Sequence, residues 1–151
     1  HEFHAEEIKK LEKRYRVKTS YYSSFHTSSN EAQILLIDQM GLLSKIYRYG
    51  DVAVIGGGFG KGIHNILEAA VYGIPVLFGP NHEFFNEAKE LISKGAAKVF
   101  KNEVQFKQLI EQYIHKPEAV EQVRSICEAY FKEKVGATNL IFSHLKKSGT
   151  L

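Results

Sequence analysis

Apolar and polar residues follow two different periods along this chain of 151 residues, and the two periods predict helices and strands in turn. In the predicted helices apolar residues recur three and four positions apart, because such positions share one face of a helix. Short apolar runs such as Gln33–Asp38 (QILLID) are typical of strands buried on both faces of a parallel sheet. Strands that alternate with helices favour an α/β fold, a Rossmann-like parallel sheet flanked by helices.

The pattern predicts seven helices and five strands. The predicted helices are Glu2–Tyr15, Leu42–Tyr49, His64–Tyr72, Glu83–Lys94, Glu103–His115, Pro117–Lys134 and Ala137–Lys147, and the predicted strands are Val17–Tyr22, Gln33–Asp38, Asp51–Ile55, Pro75–Phe78 and Ala97–Phe100. Ser23–Glu31 is polar and is expected to be a disordered loop. Asn102 is a suitable N-cap for the helix that follows it, and Gly95 is expected to end the helix that precedes it.

A glycine-rich turn, Gly56–Gly62, separates the strand that ends at Ile55 from the next predicted helix. Ligands of open α/β sheets bind beyond the carboxyl ends of the strands, which is where this turn lies. One glycine would be enough for a tight strand-to-helix connection. Five glycines among seven residues indicate a backbone that a ligand approaches closely.

Two well-known phosphate-binding patterns do not fit this turn. The ATP-binding P-loop requires a glycine five residues before the Gly-Lys pair and a hydroxyl after it, but Ile55 and Gly62 occupy those positions. The dinucleotide fingerprint G-x-G-x-x-G fails because the frame that ends at Gly62 has Phe59 as its second glycine. A nicotinamide enzyme would also need an acid about 20 residues past the turn, where Phe78–Pro80 lies.

Polar side chains in the helix after the turn suit a nucleotide. Asn65, Glu68 and Tyr72 are spaced to share one helix face. The Glu68 carboxylate can accept hydrogen bonds from both hydroxyls of a ribose, and the first-turn amides with Lys61 suit a phosphate or carboxylate. The alternative for Glu68 is an acid that only complements the helix dipole. His64 either contacts a phosphate or caps the helix.

Composition narrows the function classes. The net charge of +3 is too small to indicate nucleic acid binding, and no apolar run approaches the ~18 residues of a membrane helix. The charged start does not resemble a signal peptide, and a start inside a predicted helix suggests a domain whose N-terminal partner is missing. The single Cys127 excludes a disulfide framework, and it is expected to be a buried small residue. His1, Glu2 and His4 lack metalloprotease spacing, so no metal is expected.

The segment Ile55–Pro80 (IGGGFGKGIHNILEAAVYGIPVLFGP) resembles the nucleotide-sugar motif of GT-B glycosyltransferases. Within that superfamily it is similar to the C-terminal domain of the 3-deoxy-D-manno-octulosonic acid (Kdo) transferases, whose segment reads G-G-S-x(3)-R-G-G-H-N-x-L-E-P-A. The family blocks D-T-M-G-E-L and F-G-P-H correspond to Asp38–Leu43 and Phe78–Asn81. Lys61 replaces the family's arginine and loses its two-pronged donor geometry. Ile63 and Leu42 replace a glycine and a glutamate.

The resemblance implies a fold and a function. The chain would be the C-terminal, donor-binding half of a GT-B enzyme, and the N-terminal acceptor domain would lie outside it. The enzyme would transfer Kdo from CMP-Kdo to a lipid A precursor, with inversion and without a metal or cofactor. The base would lie in the missing domain, so this domain, soluble by itself, would be inactive alone. The full-length protein would associate with the cytoplasmic face of the bacterial inner membrane.

The resemblance also assigns the donor site. Glu68 would bind the ribose. Gln39, Met40 and Gly41 would border the cytosine. The phosphate or the Kdo carboxylate would contact Gly57, Gly58, Gly60, Lys61, Gly62, His64 and Asn65. The alternatives that stay open are another GT-B transferase with a UDP-sugar donor and a non-catalytic nucleotide-binding module.

Overall fold

The computed structural model describes residues 5–27 and 31–148 and forms two compact units, the first ending at Ile46 and the second beginning at Tyr47. The helices are α1 (Ala5–Tyr15), α2 (Leu43–Ile46), α3 (Leu67–Ala70), α4 (Asn86–Lys94), α5 (Glu103–His115), α6 (Pro117–Lys134) and α7 (Ala137–Lys147), and the strands are β1 (Thr19–Tyr21), β2 (Ile34–Leu36), β3 (Ala53–Ile55), β4 (Val76–Phe78) and β5 (Ala97–Val99). Two short 3-10 helices span Tyr22–Thr27 and Tyr47–Tyr49.

The first unit contains a parallel pair of strands. β1 pairs with β2 in a register that places Thr19 opposite Ile34 and Tyr21 opposite Leu36. The α1 residue Glu12 holds the start of β1, because its carboxylate accepts the backbone N–H of Thr19 at 3.0 Å and also the Thr19 hydroxyl. These two hydrogen bonds lower the pKa of Glu12.

Part of the segment expected to be disordered is ordered. Tyr22–Thr27 forms a 3-10 helix, while residues 28–30 lie outside the described residues. The backbone N–H of Ser23 donates to the Asp38 carboxylate at 3.0 Å, and the Ser23 hydroxyl donates to its other oxygen. Hydrogen bonding by Ser23 lowers the pKa of Asp38. A polar residue of this segment therefore ties it to Asp38, which follows β2, through two hydrogen bonds.

The prediction of a doubly buried strand at Gln33–Asp38 is wrong. β2 covers only Ile34–Leu36, and both Ile34 and Leu35 are exposed. Among the described residues β2 pairs with β1 alone, so the five strands form a two-stranded and a three-stranded sheet rather than one. An apolar run shows only that burial of the strand would be favourable. The pattern of residues does not show which element, if any, covers each face of the strand.

The second unit is built around β4. The strand order is β3-β4-β5, all parallel, with Ile55 opposite Phe78 and Phe78 opposite Val99. Each residue of β4 is fully buried, as expected for a central strand covered on both faces. The buried core also includes Ala69 and Ala70 of α3, Leu91 of α4 and Tyr130 of α6. The predicted α/β class with parallel strands and flanking helices is confirmed.

Two predicted helices begin later than expected. The helix expected at His64–Tyr72 is the single turn α3, because residues 62–65 are not helical and the His64 N–H donates to the Gly56 carbonyl at 3.2 Å. The helix expected at Glu83–Lys94 begins at Asn86, which leaves Phe84 96% exposed. The helix expected at Leu42–Tyr49 is divided into α2 and a 3-10 turn, and Leu43 is exposed.

The C-terminal helices match the predicted boundaries. Asn102 caps α5, since its side-chain oxygen accepts the Gln105 N–H at 3.0 Å. Gly95 ends α4, and its N–H donates to the Ile92 carbonyl at 3.0 Å. Within residues 5–27 and 31–148, none of the helices combines the length and the apolar character needed to cross a membrane.

Cys127 is expected to be chemically silent in the native domain. Its side chain is buried in α6, and burial raises the pKa of its thiol to about 11. The thiolate is the reactive form, so it is scarce at neutral pH. We expect no reaction with a disulfide reagent at pH 7 over the time in which the thiol reacts fully in denaturant. Equal rates in the two states would contradict the buried position of Cys127.

Candidate functional site

The candidate site lies at the carboxyl edge of the three-stranded sheet, where the turns after β3 and β4 meet. A Cβ atom on Gly58 would lie 2.6 Å from the backbone nitrogen of Gly79 and 2.7 Å from its Cα atom. The backbone N–H of Asn81 donates to the Gly58 carbonyl at 2.9 Å, and the Asn81 side-chain amide donates to the Gly60 carbonyl at 2.8 Å. The two turns therefore pack backbone against backbone.

The folding of the turn itself explains several of its glycines. Gly57 has a φ of 88°, and a Cβ atom there would lie 2.2 Å from the Gly62 carbonyl oxygen. Gly58 is buried against Gly79. Gly60 differs, because a Cβ atom there would make only an ordinary 3.6 Å contact with the Gly57 carbonyl. Gly62 has a φ of 141°, which also requires glycine, so among the four glycines of the turn assigned to the donor site Gly60 is the one whose place the folding of the turn does not explain.

The same turn uses some of its N–H groups and leaves others unpaired. The N–H groups of Gly60 and Gly62 both donate to the Gly57 carbonyl, at 2.8 and 3.3 Å. The N–H groups of Phe59 and Lys61 have no acceptor among the described residues. The turn thus keeps fewer donors for an anion than the sequence suggested. The helix N-terminus expected to add donors is weaker too, since α3 has only four residues.

An open cavity of about 320 Å³ borders the turn, lined by Gly60, Lys61, Pro80, Asn81, Glu83 and Phe84. The Lys61 side chain is exposed and has no ion-pair partner in the described part of the chain. Phe59 anchors the tip of the turn, because its ring packs 5.4 Å from that of Phe100. The cavity therefore has an unpaired cation in its lining, and it borders a turn that carries unpaired backbone donors.

Glu68 lies in the first turn of α3 and is half-buried. Its Oε1 atom accepts a hydrogen bond from the Asn65 side-chain amide at 3.0 Å, and its Oε2 atom has no partner among the described residues. Tyr47 lies on the 3-10 turn that contacts α3. Burial raises the pKa of Tyr47, and the Glu68 charge raises it further, which places the two side chains near each other.

The predicted face of Asn65, Glu68 and Tyr72 is not one helix face. Asn65 precedes α3 and Tyr72 follows it, in the turn that leads to Gly73. Asn65 and Glu68 still come together, through their hydrogen bond. Tyr72 instead packs beneath the guanidinium of Arg48, 5.7 Å from the ring centre.

The other described residues that the sequence assigned to the site are exposed. His64 is exposed, and its ring lies beside Gly56. Gln39, Met40 and Gly41 are exposed and follow the end of β2 in the first unit, so their contact with a cytosine stays a prediction. Among the described residues no group of histidine, cysteine and acidic side chains could hold a metal ion. His1, Glu2 and His4 lie outside the described residues.

Sequence reasoning missed two residues of this site. Asn81 joins the two turns, and Tyr47 lies on the 3-10 turn that contacts α3, the helix of Glu68. The sequence carried a signal for the first, because the turns after neighbouring parallel strands meet at one sheet edge. Tyr47 lay within the predicted helix Leu42–Tyr49 and was given no place in the site. Its role depends on tertiary packing that no local pattern records.

Comparisons with known proteins identify the class of this fold. The structure is similar to the crystal structure of the C-terminal CMP-Kdo binding domain of WaaA from Acinetobacter baumannii, with a TM-score of 0.71 and 26% identity over 82% of this chain and 66% of that chain. The fold is therefore that of the C-terminal half of a GT-B glycosyltransferase. No family model matches the sequence.

Sequence relatives point to one group within that class. The 3-deoxy-D-manno-octulosonic acid transferase of Aquifex aeolicus is 37% identical over 107 residues, 68% of this chain and 29% of that protein. A bifunctional glycosyltransferase/methyltransferase of Fusobacterium nucleatum is 30% identical over 131 residues, 81% of this chain and 20% of that protein. The chain thus spans less than a third of these relatives. Its resemblance to the Kdo transferases is confirmed.

Proposed function

We propose that this chain is the donor-binding half of an enzyme that transfers Kdo from CMP-Kdo to a lipid A precursor. The observation that carries the proposal is the position of Glu68, one of whose oxygens has no partner in the described chain, on the helix that follows a turn with unpaired donors. The carboxylate can accept hydrogen bonds from the ribose hydroxyls of a nucleoside monophosphate, and the turn can donate hydrogen bonds to its phosphate. The similarity to Kdo transferases selects CMP-Kdo among nucleotide sugars.

The binding mode follows from the unpaired groups. The Oε2 atom of Glu68 accepts from the ribose hydroxyls. The phosphate contacts the N–H groups of Phe59 and Lys61 and the Lys61 ammonium group, close to Gly60. These preorganised donors stabilise the negative charge that develops on CMP as it leaves, with no metal or cofactor required. Gln39, Met40 and Gly41 border the base.

The proposal leaves the rest of the reaction to segments outside this chain. The general base and the acceptor site belong to an N-terminal domain, so the isolated domain binds donor without turnover. The full-length enzyme works at the cytoplasmic face of the bacterial inner membrane, where the lipid acceptor lies. These statements rest on the similarity to Kdo transferases, of which the chain covers under a third.

Nucleotide selectivity tests this proposal. The domain is titrated with CMP, UMP and NAD, and amide chemical shifts are followed by NMR. We expect CMP to bind most tightly and to shift the signals of the turn around Lys61 and of α3. Preference for UMP would favour a GT-B transferase with a UDP-sugar donor, and preference for NAD would contradict both.

Gly60 gives a second test, because among the turn glycines assigned to the donor site it has room for a side chain. Gly60→Ala adds a methyl group that meets only an ordinary contact within the protein, so the free energy of unfolding should change by less than about 1 kcal/mol. If the phosphate approaches the turn at this point, the added methyl group should weaken CMP binding by about tenfold. Calorimetric titration and urea unfolding give the two quantities. Unchanged CMP affinity in a stable variant would remove Gly60 from the site.

A further inference from the structure

The side chain of Asn65 is held in one orientation by two hydrogen bonds. Its Oδ1 atom accepts the backbone N–H of Leu67 at 3.0 Å, and its Nδ2 atom donates to Glu68 Oε1 at 3.0 Å. A backbone N–H can only donate, so the atom that faces Leu67 must be the oxygen of the amide. The amide nitrogen therefore faces Glu68.

This geometry changes the role that the sequence suggested for Asn65. One of its two N–H groups is occupied by Glu68, and its oxygen is occupied by the start of α3. Both hydrogen bonds help to place the Glu68 carboxylate. The bond from the Asn65 amide nitrogen holds one carboxylate oxygen, and the bond from the Leu67 N–H fixes the start of the helix that carries Glu68. The other oxygen of Glu68 has no partner in the described part of the chain.

We propose that Asn65 is a positioning residue for Glu68, and that it contributes to nucleotide affinity by fixing the carboxylate that receives the ribose hydroxyls. The inference rests on the function proposed above. Glutamate side chains lose considerable rotational freedom when they are ordered, and a residue that orders one before the ligand arrives reduces that cost at binding. Asn65 therefore raises the affinity only through Glu68, so its contribution requires a ligand that has ribose hydroxyls.

Two variants remove the side-chain amide N–H group that donates to Glu68, and both keep an acceptor for the helix start. Asn65→Asp keeps an oxygen that can accept the Leu67 N–H, but it places a second carboxylate beside Glu68. Asn65→Ser also keeps an acceptor and adds no charge. Asn139→Asp, at an exposed position of α7, is the control for the added negative charge. Each variant is titrated with CMP and with 2′,3′-dideoxy-CMP, which has no ribose hydroxyls.

We expect both Asn65 variants to weaken CMP binding by about five- to tenfold and to leave the affinity for dideoxy-CMP nearly unchanged. In a Glu68→Gln background, Asn65→Ser should cause little further loss, because the residue acts through the carboxylate. Equal weakening of both ligands, or additive losses in the double variant, would overturn the inference. A wild-type domain that fails to bind CMP, or that binds both ligands equally, would instead contradict the proposed function and with it this inference.

Discussion

Substituting Glu68 by alanine is expected to weaken CMP binding by the isolated domain by about 100-fold or more. The carboxylate can accept hydrogen bonds from two ribose hydroxyls, and each hydrogen bond to a charged group contributes ~1.5–3 kcal/mol. The side chain is half-buried, and within the described residues its hydrogen bond is the one from Asn65, so its removal should change the free energy of unfolding much less. Calorimetric titration measures the affinity, and thermal unfolding verifies that the domain is folded.

The control for this variant is Glu83, which lines the cavity beside Lys61. Glu83→Gln removes one negative charge beside Lys61, as a change at Glu68 does, but Glu83 has no proposed contact with the ribose. We expect Glu83→Gln to leave CMP affinity unchanged or to raise it slightly, because repulsion of the phosphate is reduced. Glu68→Gln keeps the size of the side chain and should still lose most of the affinity. Loss of CMP binding in Glu83→Gln but not in Glu68→Gln would contradict the assignment of the ribose.

Gly58→Ala is expected to lower the free energy of unfolding by about 3 kcal/mol or more. The added methyl group would lie 2.6–2.9 Å from three backbone atoms of Gly79, and backbone atoms of two packed turns cannot move as the end of a side chain can. Overlap of this kind must separate the turns after β3 and β4 and strain the hydrogen bonds that Asn81 makes between them. Urea unfolding followed by circular dichroism measures the change.

Gly60→Ala is the matched comparison, because both substitutions add one methyl group to the same turn. A large loss of stability at Gly58 with little change at Gly60 would agree with the packing of the two turns. A Gly58→Ala domain as stable as the wild type would show that the turns do not touch in solution.

The sequence predicted the helices with strong patterns and explicit end signals. Pro117, Asn102 and Gly95 marked boundaries that the structure reproduces, because proline, a capping amide and a helix-ending glycine act on the backbone around them. The late start of α3 was missed. The residues just before α3 continue its helical pattern of apolar positions. They are not helical, because the hydrogen bond from the His64 N–H to the Gly56 carbonyl keeps them beside the end of β3. The two residues of this hydrogen bond are eight positions apart, and such a contact produces no periodic pattern of apolar residues in the sequence.

The site residues assigned from the sequence stay a prediction, but the structure changes the geometry expected for several of them. The motif around Glu68 and the turn was found from spacing and resemblance. The reason for the glycines was only partly right, since Gly57 and Gly58 satisfy the packing of the protein itself. A count of glycines cannot separate approach by a ligand from approach by another strand's turn. The sequence could not show the partner of Asn65, because a side-chain amide can donate a hydrogen bond to a phosphate or to a neighbouring carboxylate. The structure shows that it donates to Glu68.

The central claim is that the edge after β3 holds a nucleotide by its ribose and its phosphate. A crystal structure of the domain soaked with CMP tests it most directly. The account predicts a ribose hydroxyl within hydrogen-bond distance of Glu68 Oε2, and phosphate oxygens at the N–H groups of Phe59 and Lys61. CMP bound elsewhere, or a Glu68 carboxylate that makes no contact with the ribose, would contradict it.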